Sequence, residues 1–168
     1  DLSSNSLGGS IPPTLGLLTN LASLHLGSNA LDGTLPMELT FLSAISYLNM
    51  TANRLRGRIP GGISQLNELA FFDLSANQLD GLIPLSIGNL SSLAELNLSS
   101  NTLAGSIPNR LYGLSSLRSL SLSGNLLSGS LSSSVASLAA MQALYLGQNN
   151  FTGSIPPVLG RLTNLTLL

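Results

Sequence analysis

The chain has 168 residues, of which 43% are hydrophobic and only 8% are charged, and its net charge is −1. This near-neutral charge argues against nucleic-acid binding, which needs a basic patch to contact phosphates, and the apolar content argues against disorder. With no Cys and only His25 as histidine, thiolate zinc sites, CxxC redox motifs and a disulfide framework are excluded.

The sequence repeats with a regular period of 24 residues. Asn recurs without a slip at Asn5, Asn29, Asn53, Asn77, Asn101, Asn125 and Asn149. Taking each Asn as position 0, Gly stands at +4, Pro stands at +7 except at Ser132, and seven columns (−8, −5, −3, +2, +6, +10, +13) contain only Leu, Ile, Val, Met or Phe. A fixed period of this length predicts a solenoid of stacked repeats that share one core.

Each repeat is predicted to begin with a short strand. The apolar residues at −5 and −3, such as Leu24 and Leu26, share one face of a strand, so the side chains at −6, −4 and −2 point outward. Strands of successive repeats then form a parallel sheet, about 4.8 Å apart. Residues that are one full period apart become lateral neighbours.

A turn follows the strand, and Asn suits it because its amide bonds nearby backbone groups. We expect the stacked residues to bridge the turns of successive repeats, namely Asn29, Asn53, Asn77, Asn101, Asn125 and Asn149. Gly at +4 is predicted to adopt a backbone conformation closed to other residues. The residue before Pro is extended, and the roughly ten residues that remain favour 3-10 turns over a stable helix. Ser132 makes the sixth turn atypical.

The repeat LxxLxLxxNxLxGxIPxxLxxLxx, seen in DLSSNSLGGSIPPTLGLLTNL and LNLSSNTLAGSIPNRLYGLSSL, resembles the plant-specific class of leucine-rich repeats. That class fills the extracellular regions of plant receptor-like kinases, receptor-like proteins and polygalacturonase-inhibiting proteins. The resemblance implies an α/β repeat solenoid with a right-handed coil. It places a parallel sheet of short strands on the concave face and 3-10 turns and extended segments on the other. It also implies an extracellular location, on the outer side of a plasma-membrane receptor or in the cell wall.

The domain organisation follows from the same period. Residues 1–168 are predicted to form a single array of seven 24-residue repeats. Family ectodomains usually carry Cys-containing caps over the ends of the core, and this chain has none and begins and ends within a strand. Uncapped ends would expose apolar core, so we expect a segment of a longer ectodomain.

The outward strand positions predict a ligand-binding patch, made of His25, Tyr47, Asn49, Phe71, Asp73, Glu95 and Asn97. Aromatic side chains that face solvent within a polar rim are typical of protein-binding hot spots. The alternative is that the strand face tolerates aromatic residues for cross-strand packing.

Catalysis is not expected. His25 and Asp73 are two strands apart, or about 10 Å, which is too far for a hydrogen bond. The chain has no GxSxG, HExxH or GxxxxGK[ST] motif. We therefore predict a non-enzyme with no catalytic residue, no metal and no cofactor.

Two surface features have competing interpretations. Asp32, Arg56 and Asp80 share position +3 and predict a surface ion-pair ladder; alternatively, Arg54, Arg56 and Arg58 contact an anionic partner such as pectin or a sulfated peptide.

Five N-x-S/T sequons occur, at Asn49, Asn89, Asn97, Asn150 and Asn164. Some of these sequons arise from the repeat pattern alone, whenever Asn occupies position −4. The better glycosylation candidates are therefore Asn89 and Asn164, on the side away from the strands.

The leading functional hypothesis is a non-catalytic recognition segment of an extracellular receptor, whose outward strand face binds a peptide or protein. The resemblance adds a co-receptor leucine-rich repeat ectodomain as a second partner. No nucleic-acid partner is expected, because the near-neutral chain lacks a basic patch, and no membrane contact by this segment is expected, because no apolar run reaches about 20 residues. The alternatives are a secreted polygalacturonase-inhibitor-like or cell-wall protein, and a structural spacer in a longer array.

Overall fold

The computed structural model describes residues 1–168 and arranges them as stacked coils, one coil for each repeat. From the second coil onward, each coil runs through a short strand, the Asn turn, a second short strand and a 3-10 helix. The predicted solenoid of parallel strands and 3-10 turns is therefore confirmed.

The main sheet contains six parallel strands in the order of the sequence. Its members are β2 (Ser23–His25), β4 (Tyr47–Asn49), β6 (Phe71–Asp73), β8 (Glu95–Asn97), β10 (Ser119–Ser121) and β12 (Ala143–Tyr145). Tyr47 pairs with Ser23 on one side and with Phe71 on the other. The predicted register, in which residues one full period apart lie side by side, is confirmed in this sheet.

A second set of short parallel strands follows the Asn turns, and the sequence pattern did not predict it. Its members are β1 (Gly8–Ser10), β3 (Ala30–Asp32), β5 (Arg56–Gly57), β7 (Gln78–Leu82), β9 (Thr102–Gly105), β11 (Leu126–Ser130) and β13 (Asn150–Thr152). Gly8 pairs with Ala30 and Ser128 pairs with Asn150. Paired residues in these strands are two residues closer in sequence than one full period. Each coil is therefore shifted by two residues relative to the coil before it.

This stagger shows that the predicted ion-pair ladder is wrong. Arg56 lies beside Thr34 on one side and beside Gln78 on the other, while Asp80 pairs with Thr102. The ladder required lateral neighbours to be one full period apart, and that spacing holds only in the main sheet.

Seven 3-10 helices of five residues each stand opposite the main sheet, and each begins directly after position +7. They span Pro13–Leu17, Met37–Phe41, Gly61–Gln65, Leu85–Asn89, Asn109–Gly113, Ser133–Ser137 and Pro157–Arg161. Six are preceded by Pro, and the sixth is preceded by Ser132, whose side-chain oxygen accepts a hydrogen bond from the Ser134 N–H at 3.1 Å. Ser132 therefore caps its helix, which is the locally atypical feature expected at the sixth turn.

Tyr112, on the preceding coil, is a second irregularity at this point. Its position is occupied by Gly, Thr, Ser or Ala in the other repeats, yet the Tyr112 side chain is only 3% exposed. Burial raises the pKa of the Tyr112 hydroxyl, and the nearby backbone of Ser132 opposes that rise.

The core is continuous. Thirty-nine buried hydrophobic residues form one cluster along the stack, drawn mostly from the seven predicted columns. Central members such as Leu66, Leu90 and Leu114 are 0–2% exposed. The helices have five residues each, which is too short to span a bilayer.

Two turn positions have left-handed backbone. Gly at +4 has φ between 74° and 86° in all seven repeats, as predicted. The residue before each Asn is also left-handed, including Ala52 and Ala76 at φ 52°. Nothing in their residue types signalled this conformation, which L-residues with a Cβ rarely adopt.

Candidate ligand-binding surface

The outward side chains of the main sheet form one surface, here called the strand surface, with rows at positions −6, −4 and −2. The predicted ligand-binding residues all lie on four adjacent strands, β2, β4, β6 and β8. Since Tyr47 pairs with Phe71, and Asn49 pairs with Asp73, the structure brings these residues together as neighbours across the strands.

Three aromatic rings form a stack along the axis of the solenoid. The ring of Tyr47 lies between those of His25 and Phe71, with centroids 4.4 Å and 4.1 Å apart and interplanar angles of 18° and 2°. All three residues are half-buried, because each ring covers a face of the next. The stack therefore presents ring edges to solvent.

The His25 ring, at one end of the stack, is held by a residue of its own strand. The His25 Nε2 atom lies 2.7 Å from the Ser23 hydroxyl, which stands two residues earlier on the same face of β2. This contact fixes the ring against rotation. Ser23 was not among the predicted site residues.

Asp73 is oriented by three hydrogen bonds. Its Oδ1 accepts from the Ser75 N–H at 2.8 Å and from the Ser75 hydroxyl at 2.6 Å, while its Oδ2 accepts from Asn97 Nδ2 at 3.1 Å. Asn97 Oδ1 in turn accepts from the Ser99 N–H and hydroxyl. Sequence analysis missed this pairing of an Asp or Asn at −4 with a hydroxyl at −2, although both columns were visible in it.

Beyond Phe71 the strand surface opens into a shallow cavity of about 200 Å³. Phe71, Asp73, Glu95, Asn97, Ser119, Ser121 and Tyr145 contribute to its walls and floor. Phe71 and Tyr145 form bulky ends, while Ser119 and Ser121 leave the middle low. Tyr145, 40% exposed, was not a predicted site residue because it lies three strands from Asp73.

His25 and Asp73 do not lie side by side on this surface. His25 on β2 and Asp73 on β6 are separated by the intervening strand β4, and the nearest partner of His25 is Ser23. No three His, Cys, Asp or Glu residues come close enough together to hold a metal ion.

The Asn column lies at the end of the main sheet and joins successive coils. Asn77 Oδ1 accepts from the Leu55 N–H at 3.0 Å, and its Nδ2 donates to the carbonyl oxygens of Met50, Leu74 and Ser75. The same pattern recurs at Asn29, Asn53, Asn101, Asn125 and Asn149.

The sequons divide by position. Asn49 and Asn97 lie on the strand surface, and their side-chain oxygens accept hydrogen bonds from the backbone of Thr51 and Ser99. Asn89 ends a 3-10 helix and is exposed. Asn164 is exposed too, and its amide donates to the Ala139 carbonyl oxygen at 3.0 Å.

Family profiles match much of the chain. A profile described as "Leucine rich repeat" matches residues 67–127, and a second profile of the same description matches residues 1–18 and 140–162. Together with the parallel strands and 3-10 helices, these matches show that the chain belongs to the leucine-rich repeat family.

Solved structures of plant receptors are close to this fold. The ectodomain of the membrane receptor kinase GASSHO1/SCHENGEN3 from Arabidopsis thaliana, in complex with CASPARIAN STRIP INTEGRITY FACTOR 2, is 40% identical over 99% of this chain, with a TM-score of 0.97. The plant peptide hormone receptor RGFR1, in complex with RGF2, is 39% identical over 98%, with a TM-score of 0.97. The Arabidopsis receptor kinase HAESA, in complex with the peptide hormone IDA and the co-receptor SERK1, is 36% identical over 99%, with a TM-score of 0.96.

The chain spans only 20%, 26% and 28% of the lengths of these three receptor chains. Among curated protein sequences, none matches the chain. The similarity therefore defines a stretch of repeats within much longer ectodomains.

Proposed function

We propose that the chain is a ligand-recognition segment of an extracellular plant receptor, and that its strand surface binds an extended peptide or a protein. The observation that carries the proposal is the stack of His25, Tyr47 and Phe71 beside the oriented Asp73 carboxylate. Aromatic side chains with a polar rim are characteristic of binding hot spots.

The mechanism needs no chemical step. Backbone pairing fixes the strands, the ring stack fixes the aromatic side chains, and hydrogen bonds fix Asp73 and Asn97. A ligand that meets such a surface loses less free energy to ordering of the receptor. The complexes of related ectodomains with peptides, and of one with a co-receptor, support a peptide ligand and a second ectodomain as partners.

The single array of seven repeats is proposed to act as one stretch of a longer ectodomain. Its match to a fifth to just over a quarter of each receptor chain supports this arrangement. The stacked Asn residues, from Asn29 to Asn149, would then hold the recognition surface in register.

Alanine substitution at Tyr47, Phe71 and Asp73 tests the proposed site. Peptides secreted by plant tissue are screened for binding to the chain, and we expect the triple variant to bind the selected peptides at least about tenfold more weakly. A matched control carries F41A, L85A and D80A, which remove two aromatic or aliphatic groups and one acid that are exposed elsewhere. Unchanged binding by the Tyr47, Phe71 and Asp73 variant contradicts the assignment of the site.

A further inference from the structure

The cavity between Phe71 and Tyr145 is too small for a whole ligand. Its volume of about 200 Å³ lies below the ~300–1,000 Å³ typical of small-molecule sites. It is open along the strand surface and lined by side chains of four strands, β6, β8, β10 and β12. A cavity of this size on an otherwise shallow sheet accommodates one side chain of a ligand that continues across the surface.

One wall of the cavity is an aromatic ring that has no aromatic partner on this side. Tyr47 stacks on one face of Phe71 at 4.1 Å, and the strand on the other side, β8, places Glu95 next to Phe71. The stack therefore ends at Phe71, and the ring face on the cavity side has no aromatic partner. A flat ring face with a carboxylate beside it attracts a cation.

Two carboxylates line the same cavity, those of Asp73 and Glu95. Asp73 uses three of its roughly four acceptor sites on Ser75 and Asn97, which aims the group and leaves Oδ2 capacity for one more donor. Glu95 is exposed. No Arg or Lys occupies any position of the −6, −4 or −2 rows, so the strand surface supplies no cation of its own to these acids.

We propose that this cavity is the anchor site for an arginine side chain of an extended peptide ligand, an assignment that rests on the proposed function of the strand surface. The guanidinium plane stacks on the cavity side of the Phe71 ring, and the exposed Glu95 side chain lies alongside it. Its N–H groups donate to the Asp73 and Glu95 carboxylates, and Tyr145 closes the far end. Arg fits better than Lys because its planar group stacks and donates in a fork, whereas an ammonium is a point charge.

The charge of the site can be removed with little change to its shape. Asn97, one strand away, already makes with Ser99 the two bonds that Asp73 makes with Ser75. D73N therefore keeps the turn, at the cost of the hydrogen bond from Asn97 Nδ2. Combined with E95Q, it removes both charges. The control D32N/D80N removes two exposed acids of the second set of strands and changes the net charge equally.

Selection from a phage-displayed library of linear dodecapeptides tests the proposal. We expect the wild-type chain and the D32N/D80N control to enrich Arg at one position of the selected peptides. Peptides selected on D73N/E95Q should show no enrichment of Arg at any position. Replacing that Arg by citrulline, its neutral isostere, should weaken binding to the wild-type chain about tenfold or more, and leave binding to D73N/E95Q unchanged. Added NaCl should reduce only the Arg-dependent part of the affinity.

The outcomes separate this inference from the proposed function. Selected peptides whose binding is lost with Y47A/F71A, but which show no Arg, or Lys and Arg equally, overturn the arginine site while peptide recognition stands. The same holds if Arg is enriched equally on D73N/E95Q. If no peptide is selected by the wild-type chain, or if all selected peptides still bind the Tyr47, Phe71 and Asp73 alanine variant, the proposed function falls together with the arginine site.

Discussion

At the scale of single residues, Asn77 shows how one side chain replaces several backbone contacts. It is 9% exposed and supplies the acceptor for the Leu55 N–H as well as donors for three carbonyl oxygens. The three carbonyl oxygens lie on two successive coils. A buried N–H group left without an acceptor is costly, so the column is retained at every turn.

N77A is expected to lower the free energy of unfolding by about 2–4 kcal/mol, since it leaves the Leu55 N–H without a partner and removes three further bonds. Urea unfolding followed by circular dichroism measures the change. N5A is the matched control, because Asn5 is exposed and its amide bonds only the carbonyl oxygens of Leu2 and Ser3 in its own turn. Equal losses in the two variants would contradict the role given to Asn77.

Tyr112 and Ser132 are expected to be energetically coupled. Pro is the rule at position +7, yet S132P would place a pyrrolidine ring beside the buried Tyr112 hydroxyl, which lies close to the Ser132 backbone, and crowding there is expected to cost about 1–3 kcal/mol. In the Y112F background, which lacks that hydroxyl, the same substitution should cost less, leaving chiefly the loss of the Ser132 cap. A double-mutant cycle of unfolding free energies measures the coupling, and a coupling energy near zero would show that the two exceptions are independent.

At the scale of elements, the two sets of strands differ in how far the sequence predicts them. The apolar pair at −5 and −3 fixes which side of each strand is inward, so the neighbours of Tyr47 and Phe71 follow from the period alone. The second set of strands has no such alternation of apolar side chains. The two-residue shift between its strands arises from backbone pairing, which the side-chain pattern does not reveal. The Arg56 prediction failed for that reason.

The details of the candidate site were likewise only partly predictable from the sequence. That Tyr47 and Phe71 are neighbours was predictable, whereas the diagonal contact of His25 with Tyr47 and the stacking of the rings depend on side-chain rotamers, which a sequence pattern does not specify. The cavity at Tyr145 depends on the small Ser119 and Ser121 side chains between two bulky ones. Such a shape emerges only when four strands are placed together.

R56A is expected to change the free energy of unfolding by less than about 0.5 kcal/mol, because Arg56 is exposed and lies beside Thr34 and Gln78. Thermal unfolding at low and high salt measures this. A loss of several kcal/mol, or one that vanishes in high salt, would show that Arg56 takes part in an ion pair after all.

At the scale of the whole molecule, the opposite sides of the solenoid are expected to differ in modification. We propose glycosylation at Asn89 and Asn164, which are exposed away from the strand surface, whereas Asn49 and Asn97 are held within it. Expression in a plant secretory system followed by glycopeptide mass spectrometry should find glycan on Asn89 and Asn164. A glycan on Asn97 would cover the cavity and contradict the proposed binding surface.

The ring stack also makes the binding surface optically observable. The chain has three Tyr and no Trp, so its near-ultraviolet circular dichroism is dominated by few chromophores, and Tyr47 sits between two other rings at about van der Waals distance. The difference spectrum between the wild-type chain and Y47F isolates that chromophore. Occupation of the neighbouring groove would then register as a change in tyrosine ellipticity, which allows an unlabelled partner to be titrated in solution.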